Sequence, residues 1–171
     1  MNLEILLTGS FGVGKSSLFN RYIYDEFTNN YNGTIGVRTG VKEIQLSDHG
    51  SDHDIAINLW DITGEIAQVN VPVVYYHKKD VIIYVIDLSR PFTFENIQED
   101  IVYIKETAPN AMVKIIGNKK DVLLPKELQE ARAALGHIFL DQVISAKTNE
   151  NVDTFFEELA MAQLVQQKSN I

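Results

Sequence analysis

The chain contains no cysteine among its 171 residues. That excludes disulfides, thiolate metal sites and cysteine nucleophiles. It also excludes prenylation and palmitoylation within this sequence, since both need a cysteine. No apolar run approaches the roughly 20 residues that cross a bilayer. The opening residues MNLEILLTGS lack a basic leader and a small-residue cleavage site, so no signal peptide is expected. A reducing, cytoplasmic location is the expectation, with membrane association only through a partner or a missing tail. Positive charge is scarce: 15 Lys and Arg face 23 Asp and Glu, for a net charge of -8. Such a surface disfavours nucleic acid and anionic membranes as partners, yet leaves room for one local basic pocket.

What is present is ordinary for a globular chain, with 45% hydrophobic and 22% charged residues. The length suits one domain over residues 1–171, expected to be a monomer. LEILLTG reads as a strand and SSLFNRYIYDEF as a helix. VKEIQL and DIAINLWD alternate apolar and polar residues around the polar turn SDHGSDH, which predicts a β-hairpin. VPVVYYHKK predicts a short helix starting near Pro72. DVIIYVIDL and VKIIGN read as buried strands. TFENIQEDIVYIKETA has helical spacing, with Thr93 or a neighbour as its cap. PKELQEARAALG predicts a helix bounded by Pro125 and Gly136, QVISA a last strand, and NVDTFFEELAMAQLVQQ a closing helix. Buried strands alternating with helices imply an α/β three-layer sandwich around a mostly parallel sheet. In such folds ligands sit at the carboxyl ends of the strands.

GSFGVGKS, Gly9 to Ser16, fits G-x-x-x-x-G-K-[ST] directly between a strand and a helix. Its glycines let backbone N–H groups turn toward phosphate oxygens, and the helix start adds its positive end. The expected contacts come from Phe11, Gly12, Val13, Gly14, Lys15, Ser16 and Ser17. Lys15 supplies a cation to the outer phosphates, and the Ser16 hydroxyl suits Mg²⁺.

In WDITG, Asp61 ends the hairpin's second strand and can hold Mg²⁺ through water. Three residues on, Gly64 can offer an N–H to a γ-phosphate. In NNYNGTIGV, the Thr34 hydroxyl can complete the metal sphere while a third phosphate is present, making that loop an order–disorder switch. NKKD, Asn118 to Asp121, follows a core strand. The Asp121 carboxylate can accept from guanine N1–H and its exocyclic amine, a donor pair that adenine lacks. Asn118 can tie neighbouring loops together, and the Lys119 stem can lie along the base. SAK, Ser145 to Lys147, follows the last strand, and its N–H groups can meet the guanine carbonyl. An isolated Thr, Asp, NKKD or SAK is equally a surface or turn feature; their order and placement carry the reading.

The ordered set GSFGVGKS, Thr34 in YNGTIGV, WDITG, NKKD and SAK resembles the small GTPases of the Ras superfamily over essentially the whole chain. DEFTNNYNGTIGV and the Tyr75–Tyr76 pair are similar to its Rab branch. The resemblance implies a P-loop fold with a six-stranded sheet and about five helices, and slow GTP hydrolysis with GTP/GDP and Mg²⁺ bound. It implies metal ligation by Ser16 and Thr34, with Asp61 holding the ion from behind. Phe27 would face the guanine and Tyr31 would cover the phosphates. Asn118, Lys119, Asp121, Ser145, Ala146 and Lys147 would form the base pocket. Exchange factors, activating proteins and effectors would read switch loops at about residues 28–38 and 64–74.

The sequence also departs from the family. Glu65 stands where a glutamine usually orients the attacking water, so the expected catalytic set is Glu65, Lys15 and Gly64. Phe11 is large where most relatives are small, and it can obstruct an incoming arginine finger. IAQVNV lacks the usual charged and aromatic switch residues, and Arg38–Thr39 replaces an acidic and aromatic pair. A GTP-binding module with little or no hydrolysis therefore stands as the alternative. A P-loop small-molecule kinase would require an Arg-rich lid, which the sequence lacks. His49 and His53 fall in the hairpin turn without a third ligand nearby and read as exposed turn residues.

Overall fold

A computed structural model describes residues 1–28, 36–48, 50–62 and 72–169. The strands are β1 (Asn2–Thr8), β2 (Val37–Asp48), β3 (Ser51–Ile62), β4 (Val81–Asp87), β5 (Met112–Asn118) and β6 (Gln142–Val143). The helices are α1 (Lys15–Tyr24), α2 (Ile97–Thr107), α3 (Pro125–Ala134) and α4 (Val152–Ser169). Four α-helices thus stand among the described residues, against the five or so expected. One sheet carries the order β2-β3-β1-β4-β5-β6, and only β2 runs antiparallel to its neighbour.

Side-chain alternation along the strands builds two cores. On β1 and β4, Leu3, Ile5, Leu7, Val81, Ile83 and Val85 face α1 and α4, meeting Leu18, Phe19, Tyr22, Phe155, Phe156 and Leu159. Leu6, Ile82, Tyr84 and Ile86 face the other way, toward Ile97 and Ile104 of α2 and Ala131 of α3. Every residue of β4 is buried, as a central parallel strand requires. Tyr22 stacks on Phe156 at 3.8 Å between centroids, locking α1 to α4.

Four local expectations need correction or narrowing. The hairpin strands run through the polar residues to Asp48 and from Ser51, because the ladder stays paired to its last rung, Asp48 opposite Ser51, with Gly50 at φ 80° beside it. The helix expected over VPVVYYHKK is a single 3-10 turn, Val73–Tyr75. It ends as Tyr76 turns into the core, and Lys78 at φ 59° redirects the chain into β4. The cap position of α2 falls on a neighbour of Thr93, Asn96, without a side-chain cap bond; Thr93 itself sits in a 3-10 turn, Pro91–Phe94, where its hydroxyl donates to Arg90 O at 2.8 Å. Finally, β6 has two residues rather than five. Beyond Val143 the chain continues along β5 through Ile144 N to Gly117 O, then folds back with Ser145 bridging Glu150.

The parallel register aligns the strand ends. Leu7 lies opposite Asp61, Thr8 opposite Tyr84, and Asp87 opposite Asn118. The loop after β1, the acids ending β3 and β4, and the segment after β5 therefore share one rim of the sheet.

Candidate functional site

Gly9, Gly12 and Gly14 all have positive φ, at 127°, 72° and 98°. A Cβ at Gly9 would stand 2.2 Å from Val85 O, and one at Gly14 2.3 Å from Asn118 Nδ2. The loop is thus held against β4 and β5 as closely as bare backbone permits. Gly14 starts α1 without a side-chain cap, which leaves the helix's first N–H groups to the loop. Val13 is fully buried beneath it. Lys15 is only 8% exposed; its Nζ donates to Gly9 O at 2.7 Å and Ser10 O at 2.9 Å. Ser16 and Ser17 follow, half-buried, in the first turn of α1. Phe11 projects outward, 55% exposed. Phe27 is half-buried in the segment leaving α1.

Asn118 joins three segments. Its Nδ2 donates to Val13 O at 3.0 Å, and its Oδ1 accepts from Ala146 N at 3.1 Å. Lys119, at φ 64°, sends its Nζ back to Gly12 O at 2.9 Å. Asp121 accepts from Ser145 Oγ at 2.6 Å, and Lys147 Nζ lies 3.9 Å from its other oxygen. Ser145 Oγ in turn accepts from Thr148 N. Asp121 is thereby tied through Ser145 to the segment that carries Ala146.

Sequence reasoning missed four residues here. Arg21 on α1 donates from Nε to Ala146 O and from Nη2 to Lys147 O, both at 3.0 Å, fastening the last loop. Ser10 Oγ donates to Thr93 O at 2.8 Å. Asp87 is 0% exposed; it accepts from Ser89 N and Oγ and from Arg90 Nε at 2.6 Å, and Lys119 Nζ lies 2.7 Å away. Arg90 Nη2 also donates to Gly12 O at 2.6 Å. An acid ending a fully buried strand on a ligand-binding rim was the one signal available for Asp87.

Burial pushes the Asp87 carboxyl up, but the Lys119, Ser89 and Arg90 donors outweigh it and hold the group below the usual carboxylate range. The folded-state value is depressed, so this contribution to stability is complete above about pH 4 and is lost as pH falls below it. Asp87→Asn should lower stability at neutral pH by about 3 kcal/mol, the low end for breaking a buried pair, because both cations keep some water. Urea unfolding from pH 3 to 7 checks this. A variant with the wild-type pH slope would remove Asp87 from this role.

Asp61 is 1% exposed. Its Oδ2 accepts from Arg38 Nη2 at 2.9 Å, while Oδ1 has no hydrogen-bond partner among the described residues. A buried, orphaned carboxylate oxygen and a serine hydroxyl are the hard donors a divalent cation prefers. No cluster of three or more His, Cys, Asp or Glu suited to a metal occurs among the described residues. Tyr31, Thr34, Gly64, Glu65 and His49 lie outside the described residues. His53 meets Lys168 Nζ at 3.2 Å. No helix among the described residues is long and apolar enough to cross a membrane.

A family model described as the Ras family matches residues 4–165. The Ypt/Rab-type GTPase YPT7 of Saccharomyces cerevisiae is 32% identical over 179 residues, spanning 98% of this chain and 84% of its own length. The Ras-related protein SEC4 of Candida albicans is 31% identical over 174 residues, spanning 98% and 79%. The Ras-related protein Rab-13 of Canis lupus familiaris is 32% identical over 161 residues, spanning 92% and 77%.

Proposed function

Because the chain belongs to the Ras family, we propose that residues 1–171 act as one G domain whose guanine nucleotide lies along the loop from Gly9 to Ser16. The protein is a Rab-like small GTPase, a molecular switch that hydrolyses GTP. In this reading the base enters the pocket of Asn118, Lys119, Asp121, Ser145, Ala146 and Lys147, with Phe27 at its edge. The observation that supports it most is the double hydrogen bond of Asn118, which couples the phosphate loop to the base loop. A nucleotide can then meet both at once with little reorganisation.

Lys15 would leave its own loop carbonyls for the β- and γ-phosphates, so its present bonds hold the ammonium ready. Backbone N–H groups of the loop and of early α1 would stabilise charge on the transferring phosphoryl group. Mg²⁺, held by Ser16, Thr34 and Asp61, would neutralise phosphate charge during hydrolysis. Tyr31, Thr34 and Gly64 take their roles from their motifs, and Glu65, by its position after Gly64, would orient water. Phe11, exposed on the loop, would meet a protein partner. Exchange factors, activating proteins and effectors would engage residues about 28–38 and 64–74. Its site of action would be the cytoplasm, with membrane contact made through a partner or a tail.

Nucleotide extracted from the purified protein should chromatograph as GDP or GTP. With γ-labelled GTP and Mg²⁺, a single turnover should release phosphate above the non-enzymatic rate. A bound adenine nucleotide would defeat the base assignment.

A further inference from the structure

Arg38 is the second residue of the edge strand β2 and stands directly opposite Asp61 across the antiparallel ladder. Its guanidinium is fixed on several sides. Nη2 donates to Asp61 Oδ2 at 2.9 Å, Nη1 donates to Asn20 Oδ1 at 3.2 Å, and the group lies 4.7 Å from the Phe19 ring centroid. Nε is buried with no partner among the described residues, so the side chain is committed to Asp61 and Asn20 through its outer nitrogens. The arginine keeps 38% of its side chain exposed while the acid has 1%. One oxygen of a carboxylate assigned to the metal is therefore already held by a cation.

We propose that Arg38 is a built-in competitor for Mg²⁺, which sets how much of the ion this protein needs to retain its nucleotide. The inference rests on the metal and nucleotide site proposed above. With the site empty, the guanidinium neutralises a carboxylate that would otherwise be buried and uncompensated. With the site filled, the same positive charge stands beside a divalent ion and weakens its hold. A unit charge a few ångström from a divalent ion at a partly wet site corresponds to about a tenfold change in affinity. Arg38 thus favours the metal-free, nucleotide-releasing form on both counts.

The test is release of fluorescent GDP from the full chain across a series of free Mg²⁺ concentrations. For Arg38→Gln the concentration giving half-maximal retention should fall by about tenfold. Arg38→Lys keeps the charge but not the Asn20 and Phe19 contacts, and should fall between wild type and Arg38→Gln. Asn20→Ala loosens the guanidinium and should shift the midpoint the same way by about twofold to threefold. Lys42→Gln, which removes a β2 cation that pairs with Asp153 instead, controls for net charge and should leave it in place. Stripped of nucleotide in chelator, Arg38→Gln should melt several degrees below wild type and recover with Mg²⁺ and GDP. An unchanged or raised midpoint in Arg38→Gln, or in Asn20→Ala where the first variant does not fold, overturns the competition while leaving the site intact. Wild-type protein that retains GDP at no Mg²⁺ concentration overturns the site itself, and the inference with it.

Discussion

Asp121→Asn is expected to lower GTP and GDP affinity by about 10² to 10⁴-fold and to shift preference toward xanthine nucleotides. The size follows from two guanine N–H donors that lose a charged acceptor, each worth about 1.5–3 kcal/mol. The structure adds a reason for the carboxylate to be well placed. Ser145 Oγ holds one oxygen at 2.6 Å, and Lys147 stands near the other. An asparagine can keep the serine bond through its carbonyl, so the fold should survive and only base choice should change. Competition binding of GDP against XDP reads the result directly. Unchanged preference would take Asp121 out of the base pocket.

Gly9→Ala should be the most damaging single methyl added to the phosphate loop. Its Cβ would lie 2.2 Å from Val85 O, and its φ of 127° is one that side chains rarely adopt. Val85 cannot yield, because the contact is with the backbone of a fully buried strand. Combined overpacking and backbone strain amount to about 3–5 kcal/mol. For a chain of this size that corresponds to a melting temperature roughly 10 °C lower. The comparison belongs in nucleotide-stripped protein, since bound ligand raises the melting point by mass action. A shift smaller than about 2 °C would mean that the loop can move away from β4.

Much of this was readable in the sequence because the chemistry is contiguous. GSFGVGKS lies between a strand and a helix, NKKD stands at the end of a core strand, and SAK follows the short edge strand β6. Dense apolar strands and spaced helices gave the layers without reference to any partner. The rest depended on contacts with no fixed spacing. Arg21 reaches Ala146 and Lys147 from far away in the chain, Arg90 reaches Gly12, and Ser10 reaches Thr93. No periodicity encodes a side chain that bonds a distant carbonyl. Strand ends were misjudged for a related reason. Ser47, Asp48 and Ser51 carry no apolar signal, yet their backbones complete the ladder. Arg38 was visible as an unusual residue, but its meaning required register. Once Asp48 is paired with Ser51 at the hairpin tip, residue 38 must stand opposite residue 61.

The two borders of the sheet differ sharply in what they offer another polypeptide. At one side β6 contributes two residues, too short to template growth. At the other, β2 presents twelve, long enough to recruit a stray strand from a neighbour. Arg38, Lys42, Glu43 and Asp48 punctuate that border with charges of both signs. An invading segment would have to match or desolvate them before it gained any backbone bonds. Among the described residues the sheet therefore has one long margin, and it carries ionic side chains, which favours remaining dispersed when crowded.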